Sequence, residues 1–374
     1  MKFFKFNYFK NKRDLILFKL IRLFLFFRKN AFFNYKRSSF FNFILSNKMN
    51  SPIKEIQEPI REEMHIFEKR FYEEIKSEVP LLDQIIRFVI KQKGKQIRPM
   101  LTFLIAKMIH GRVLDKTYLI AAAVEIIHTA SLLHDDVVDE SYLRRGFFSI
   151  NALWKNKIAV LVGDYLFSKS LVLLTKDNHY DLLAVIAPAL KEMSEGELLQ
   201  LDKSHQLSLK EDQYYQIIEG KTASLIVACC KGAVISVDGK KEDIEKISQL
   251  ARFVGVSFQI RDDLFDYENT LSTGKPKAID IKEKKITLPL IYALEKAVDK
   301  ERKWLVDIIR NHAHKEKAIK ELVDYVEKIG GLVYSRKKME EFCFKALELL
   351  KDFEDSSSKK ALILLIQYSM SRSL

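Results

Sequence analysis

The chain has 374 residues with only 12 Gly and 7 Pro, about 3% and 2% against average usage of about 7% and 5%, which argues against a turn-rich sheet protein. At 48% hydrophobic and 30% charged residues, with a mean hydropathy of -0.10, it suits long amphipathic helices around a sizeable core and excludes a mostly disordered chain. The formal charge of +13 is concentrated in residues 1–50, which hold 12 Lys+Arg, one acid (Asp14) and 13 of the 26 Phe; 51 basic and 49 acidic residues remain beyond them, a near-neutral body with no support for nucleic-acid binding.

Residues 1–48, basic, Phe-rich and acid-poor, read as an organelle-targeting leader or else as a biased, unprocessed extension. The most apolar stretch, 15–27, carries Lys19 and Arg22 and is too short to cross a bilayer, which excludes a transmembrane helix and weakens a secretory-signal reading. Basic residues interleaved with aliphatics and Phe suit an amphipathic, membrane-attracted helix better than a nucleic-acid-binding arm.

From residue 52 onward, apolar positions recur at helical spacing. Ile53, Ile56, Ile60, Met64, Phe67 and Phe71 form one stripe, and the pattern continues through 81–90, 100–109, 118–138, 158–174, 182–201, 212–237, 242–267, 287–297, 304–310, 318–329 and 333 to the end. No clean period-two run appears, and short Gly or Pro punctuation separates the segments. The expectation is one large all-α domain, 49–374, after the leader. Cys229, Cys230 and Cys343 form neither a disulfide framework nor a metal-ligand spacing, and read as small core residues of a reducing compartment.

Two acidic clusters carry the chemistry. Asp135, Asp136 and Asp139 end the apolar run 121–133, and at 3.6 residues per turn Asp135 and Asp139 share a face. Asp262, Asp263 and Asp266 follow the apolar run 250–260 with the same spacing. A single such cluster is most often a solvated helix face. Two of them, 127 residues apart and each ending a largely apolar helix, point to like charges that converge on a cation. Hard oxygen donors favour magnesium, which prefers a few carboxylates plus phosphate oxygens, so a diphosphate is the expected ligand. Lys95 and Arg98 in GKQIRP, Arg144 and Arg145 after the first cluster, and Lys221 and Lys275 in the second half can ring one metal-held anion and hold a second without metal.

These residues resemble the trans-polyprenyl diphosphate synthases (isoprenyl diphosphate synthases) over about 50–374. The matching segments are GKQIRP at 94–99, HTASLLHDDVVDES at 128–141, RRG at 144–146, GDYL at 163–166, GE at 196–197, KTASL at 221–225, QIRDDLFD at 259–266, GKP at 274–276 and KITLPL at 285–290. Two positions depart from the family pattern, Ala278 and Lys284, each standing where a glycine is usual. The resemblance implies a helical bundle around a deep central cavity, usually a homodimer.

It also implies two or three magnesium ions per site, held by Asp135, Asp139 and Asp262 with Asp136 and Asp263 beside them, binding an allylic diphosphate whose C–O bond ionises. Arg144, Lys221, Thr222, Gln259 and Lys275 then match the allylic side, while Lys95, Arg98, His128 and Arg145 match the isopentenyl diphosphate side. Released diphosphate takes the proton. His134 reads as structural.

Alternatives are a catalytically weak partner subunit of a heteromeric synthase, which is expected to have lost some of these motifs, and a class I terpene cyclase, which needs no isopentenyl site. Ser131 and Ala130, four and five residues before Asp135, sit about 5.4 Å deeper on the same helix. Short-chain members usually carry an aromatic there. With Ile127 and Ala123 below them also lacking a ring, the expected product is long, about C35 to C50 and near octaprenyl, with a short-chain farnesyl or geranylgeranyl product as the alternative. Long chains suit quinone tails, a mitochondrial address first, a plastid-type organelle second, and a cytosolic site if the leader is no address. Product release implies peripheral membrane contact.

Overall fold

A computed structural model describes residues 52–92, 94–144, 147–206, 209–273 and 278–371; the expectations for the leader lie outside these residues. The chain divides into two units, Met1–Lys54 and Glu55–Leu374, and the described residues lie almost wholly in the second.

Helix α1 (Pro52–Gln57) meets a 3-10 turn at Pro59, whose missing N–H interrupts the helical ladder, and α2 (Arg61–Ile75) resumes the stripe with Met64, Phe67, Phe71 and Ile75 buried. Then come α3 (Pro80–Lys91), α4 (Ile97–His110) and the central α5 (Asp115–Val138), whose residues from Ile120 to Ile127 are all buried. A hairpin, Leu143–Arg144 paired with Phe147–Phe148, follows the first acidic cluster. After it run α6 (Ile150–Trp154), α7 (Asn156–Thr175) and α8 (Tyr180–Gln206). Both α5 and α7 are long and apolar enough to cross a membrane by length alone, yet they pack on each other and α5 is mostly inside protein.

The run 212–237 is one path with a π-helical turn in it: α9 (Glu211–Ile218), the wide turn Glu219–Ala223, and α10 (Ser224–Ile235). Helix α11 (Lys241–Thr273) carries the second acidic cluster, and short α12 (Ile279–Lys282) precedes α13 (Leu288–Lys296). An outer layer, α14 (Asp299–Asp307) and α15 (Glu316–Lys328), leads to α16 (Gly331–Leu349) and α17 (Ser357–Ser371). The last predicted run is therefore two helices. The Ser-rich stretch 356–358 breaks it, with Ser356 Oγ accepting the Lys359 amide at the new N-terminus, and the turn sends α17 back onto α4. The all-α expectation holds.

Candidate active site

The first acidic cluster sits where α5 stops. Glu140 adopts a left-handed φ of 48°, and the Ser141 amide returns to the Asp136 carbonyl at 2.9 Å while the Glu140 amide reaches Val137 at 3.3 Å. This is a Schellman cap, which ends the helix sharply and leaves Asp135 and Asp139 one turn apart at its mouth. The middle aspartate plays another part. Asp136 is almost fully buried and accepts Arg144 Nε at 2.8 Å, and its carbonyl also takes Asn151 Nδ2 at 2.9 Å. It therefore anchors the hairpin and aims Arg144, rather than offering oxygens outward.

The second cluster repeats this division. Asp263 is buried, and both carboxylate oxygens are taken, by Tyr214 OH at 2.7 Å and Gln259 Nε2 at 2.9 Å. Because the carboxylate accepts the Gln259 amide nitrogen, the Gln259 carbonyl oxygen faces the other way and receives Thr222 Oγ1 at 2.7 Å. Tyr214, Asp263, Gln259 and Thr222 thus form one chain of bonds from the core to the site. Asp262 is exposed on the same helix. Asp266 accepts the Asp280 amide at 2.9 Å.

Small residues bring the cationic wall to the aspartates. A Cβ on Gly196 would lie 2.6 Å from the Lys221 amide, one on Gly220 would lie 2.8 Å from the Glu192 carbonyl, and one on Gly255 would lie 2.5 Å from Ala223 Cβ. Helices α8, α10 and α11 therefore meet at the π turn at a distance only glycine allows. There Lys221 Nζ lies 2.5 Å from Glu197 and 2.9 Å from Gln200 Oε1. Burial pushes the Asp135 carboxyl up to about 6; the Lys221 ammonium opposes this, and Glu197 and Asp139 reinforce it. Burial likewise raises Asp136, Asp263 and Asp266.

A residue to which the sequence reading gave no role completes this wall. Lys285 Nζ lies 3.2 Å from both oxygens of Asp139 and 2.7 Å from Glu283. Burial works against its charge, but Glu283 and Asp139 outweigh that and raise its pKa above the ordinary lysine value. Its placement comes from a second Schellman cap: the Lys285 amide bonds the Asp280 carbonyl at 2.7 Å and the Lys284 amide bonds Ile281 at 3.1 Å. Lys284 takes a φ of 58° and Ala278 a φ of 23°. The two positions where this chain lacks the family's glycine are thus both left-handed. The signal for Lys285 lay in KITLPL, one residue past that missing glycine.

Lys95, Arg98 and His128 stand around a cavity of about 730 Å³, between α2, α3, α4, α5 and α17. Cys229 Sγ bonds the Arg98 carbonyl at 3.2 Å, so this buried thiol braces the α4 turn. Arg145 and Lys275 lie outside the described residues. On α5 the cavity is lined by Glu125, Ile126, His128, Thr129, Leu132, Leu133 and Asp136. Ile127, Ala130 and Ser131 do not line it: the first two are fully buried and Ser131 is half-buried. Counting turns below Asp135 fixes depth but not the side of the helix on which open space lies. His134 packs on α7 over Gly163, its Nε2 3.2 Å from the Val160 carbonyl, in the structural role read from the sequence.

Among the described residues no three His, Cys, Asp or Glu side chains form a cage that could hold an ion alone. Asp135, Asp139 and Asp262 carry the hard carboxylate oxygens that magnesium takes together with water and phosphate oxygens.

Residues 79–326 match the family model described as polyprenyl synthetase. The all-trans-nonaprenyl-diphosphate synthase (geranyl-diphosphate specific) of Rhodobacter capsulatus is 35% identical over 322 residues, covering 85% of this chain and 98% of that protein. A short chain isoprenyl diphosphate synthase of Methanothermobacter thermautotrophicus is 32% identical, over 85% and 99%. Among solved structures, a decaprenyl diphosphate synthase from Rhodobacter capsulatus superposes with a TM-score of 0.81 at 33% identity, covering 85% of this chain and 98% of that one. A polyprenyl synthase from Caulobacter crescentus, complexed with calcium and isoprenyl diphosphate, gives 0.80 at 31% identity, over 86% and 98%.

Proposed function

The chain belongs to the polyprenyl synthetase family, a family of prenyltransferases, and from that premise we propose that it condenses isopentenyl diphosphate repeatedly with an allylic diphosphate to give a long all-trans polyprenyl diphosphate. The observation that carries this reading is the pair of aspartate clusters with Lys221, Lys285 and Arg144 set among them. Asp135, Asp139 and Asp262 would hold magnesium, two or three ions per site, which would supply positive charge to a diphosphate leaving group.

The chain's own residues do the rest. Lys221, Lys285 and Arg144 add positive charge around the leaving group, and Thr222 and Gln259 face the carbon it leaves. Gln259, pinned at both ends, offers an oxygen that stabilises a carbocation without attacking it. Lys95, Arg98, His128 and Arg145 hold isopentenyl diphosphate so that its double bond meets the cation, and the proton then lost passes to the released diphosphate. Lys275 joins the allylic group.

Long product is supported by the nonaprenyl and decaprenyl relatives; the short-chain relative keeps the shorter product as the competing outcome. A homodimer is supported by the exposed Leu161 and Val172 of α7, with a heteromeric partner as the alternative. Exposed Tyr142, Leu143, Phe147 and Phe148 support membrane contact during product release. The leader supports an organellar address, mitochondrion before plastid, and with it quinone side-chain supply.

Incubating the full chain with magnesium, labelled isopentenyl diphosphate and geranyl or farnesyl diphosphate, then sizing the products, tests the reading. Chains of about C35 to C50 support it. Arrest at C15 or C20 assigns the short-chain activity, and no extension removes the elongase reading.

A further inference from the structure

We propose that Tyr368, on the C-terminal helix, is a positioning residue for isopentenyl diphosphate, acting through Lys95; this rests on the reading of Lys95 as part of that substrate's site. Lys95 Nζ donates to Tyr368 OH at 2.7 Å, and the ammonium also lies 5.1 Å from the centre of the ring. The two residues are 273 apart in sequence, brought together because the Ser356 break turns α17 back onto α4. Leu365, Ile366 and Ser369 of the same helix line the cavity that Lys95, Arg98 and His128 also line. The C-terminal helix is thus a wall of the site.

The chemistry of the partner matters. Lys221 and Lys285 are paired with carboxylates, at 2.5 Å to Glu197 and 3.2 Å to Asp139, so their charge is shared before any ligand arrives. Tyr368 is a phenol, not a carboxylate. It fixes the lysine's long, rotamer-rich side chain without cancelling its charge, so the whole charge remains for an anion that is bound without metal. The loop itself needs such a tie. Gln96 is left-handed, with a φ of 53°, and on the other side of Lys95 the loop is fastened by Gln92 Nε2 to the Phe148 carbonyl at 3.4 Å.

The test is steady-state kinetics on the full-chain Tyr368→Phe, Lys95→Ala and double variants, with melting temperatures measured alongside. Tyr368→Phe keeps the ring and removes the acceptor. It is expected to raise KM for isopentenyl diphosphate about fivefold to tenfold, the net worth of one ordinary hydrogen bond, with kcat and the allylic KM within about twofold. Tyr368→Phe added to Lys95→Ala is expected to change nothing further. An unchanged KM in Tyr368→Phe, equal effects on both substrates, or additivity in the double variant overturns the proposal while leaving Lys95 in place. Should Lys95→Ala itself leave the isopentenyl KM unchanged, the reading of the anion site fails, and this inference with it.

Discussion

The Lys285 ammonium lies 3.2 Å from both carboxylate oxygens of Asp139, so the loop that follows the second acidic helix reaches across to the first. One cation on that loop thereby senses whether the two clusters face each other, and it stands where a diphosphate held between them gathers charge. Lys285→Ala is expected to lower kcat/KM for the allylic substrate by about a hundredfold, with the isopentenyl KM little changed, because the lost charge belongs to the leaving-group side. Steady-state kinetics with each substrate varied in turn reads this directly; equal losses for both substrates contradict it.

Lys284 holds its left-handed φ of 58° against the steric preference of a side-chain-bearing residue. Lys284→Gly is expected to raise stability by about 0.5–1 kcal/mol, since glycine enters that region without strain. Chemical denaturation at equilibrium measures it, and a destabilised variant means that the Lys284 side chain makes a contact worth more than the strain.

Asp135 gives a pH signature. Burial raises its folded pKa to about 6, against an ordinary value of 3.8, so the folded state favours the neutral carboxyl. Its contribution to stability is complete below about pH 4 and is lost as pH rises to about 6, where the charged form must be tolerated. Asp135→Asn mimics the neutral form. In magnesium-free buffer its stability advantage over wild type is expected to grow between pH 4 and pH 6.5 and then level off at about 3 kcal/mol. Denaturation across that range checks it; a constant difference contradicts the assignment.

Chain length provides a fourth contrast. Ala130 does not line the cavity, whereas Ile126 on the same helix does, so Ile126→Phe is expected to shorten the product to about C15 or C20 with the first condensation nearly unchanged, because a ring on the open wall blocks the chain and not the metal site. Product sizing decides; an unchanged distribution moves length control to another wall, with Leu133 of the same cavity the next residue to enlarge.

Much of this was legible in the sequence. The helical period marked α5 and α11, and paired aspartates at their ends marked the site, because spacing on one helix is local geometry. What escaped was non-local. Nothing in DDVVD or DDLFD tells the outward aspartates from the inward pair, Asp136 and Asp263, whose oxygens are consumed by Arg144, Tyr214 and Gln259. That distinction depends on what the neighbouring helices present. Lys285 and Tyr368 escaped for the same reason, one brought in by a cap and the other by a broken helix. The Ser-rich 356–358 stretch is the readable clue to that break, obscured by the apolar residues that resume after it.

The proposed reaction requires the two clusters to share one magnesium-diphosphate site. Its most direct test is the turnover of Asp262→Ala with saturating substrates and magnesium, alongside circular dichroism to verify the fold. A fall of several orders of magnitude in an intact helical protein is the predicted result, as expected for loss of a contact made in the transition state. Turnover within about tenfold of wild type would contradict the shared site.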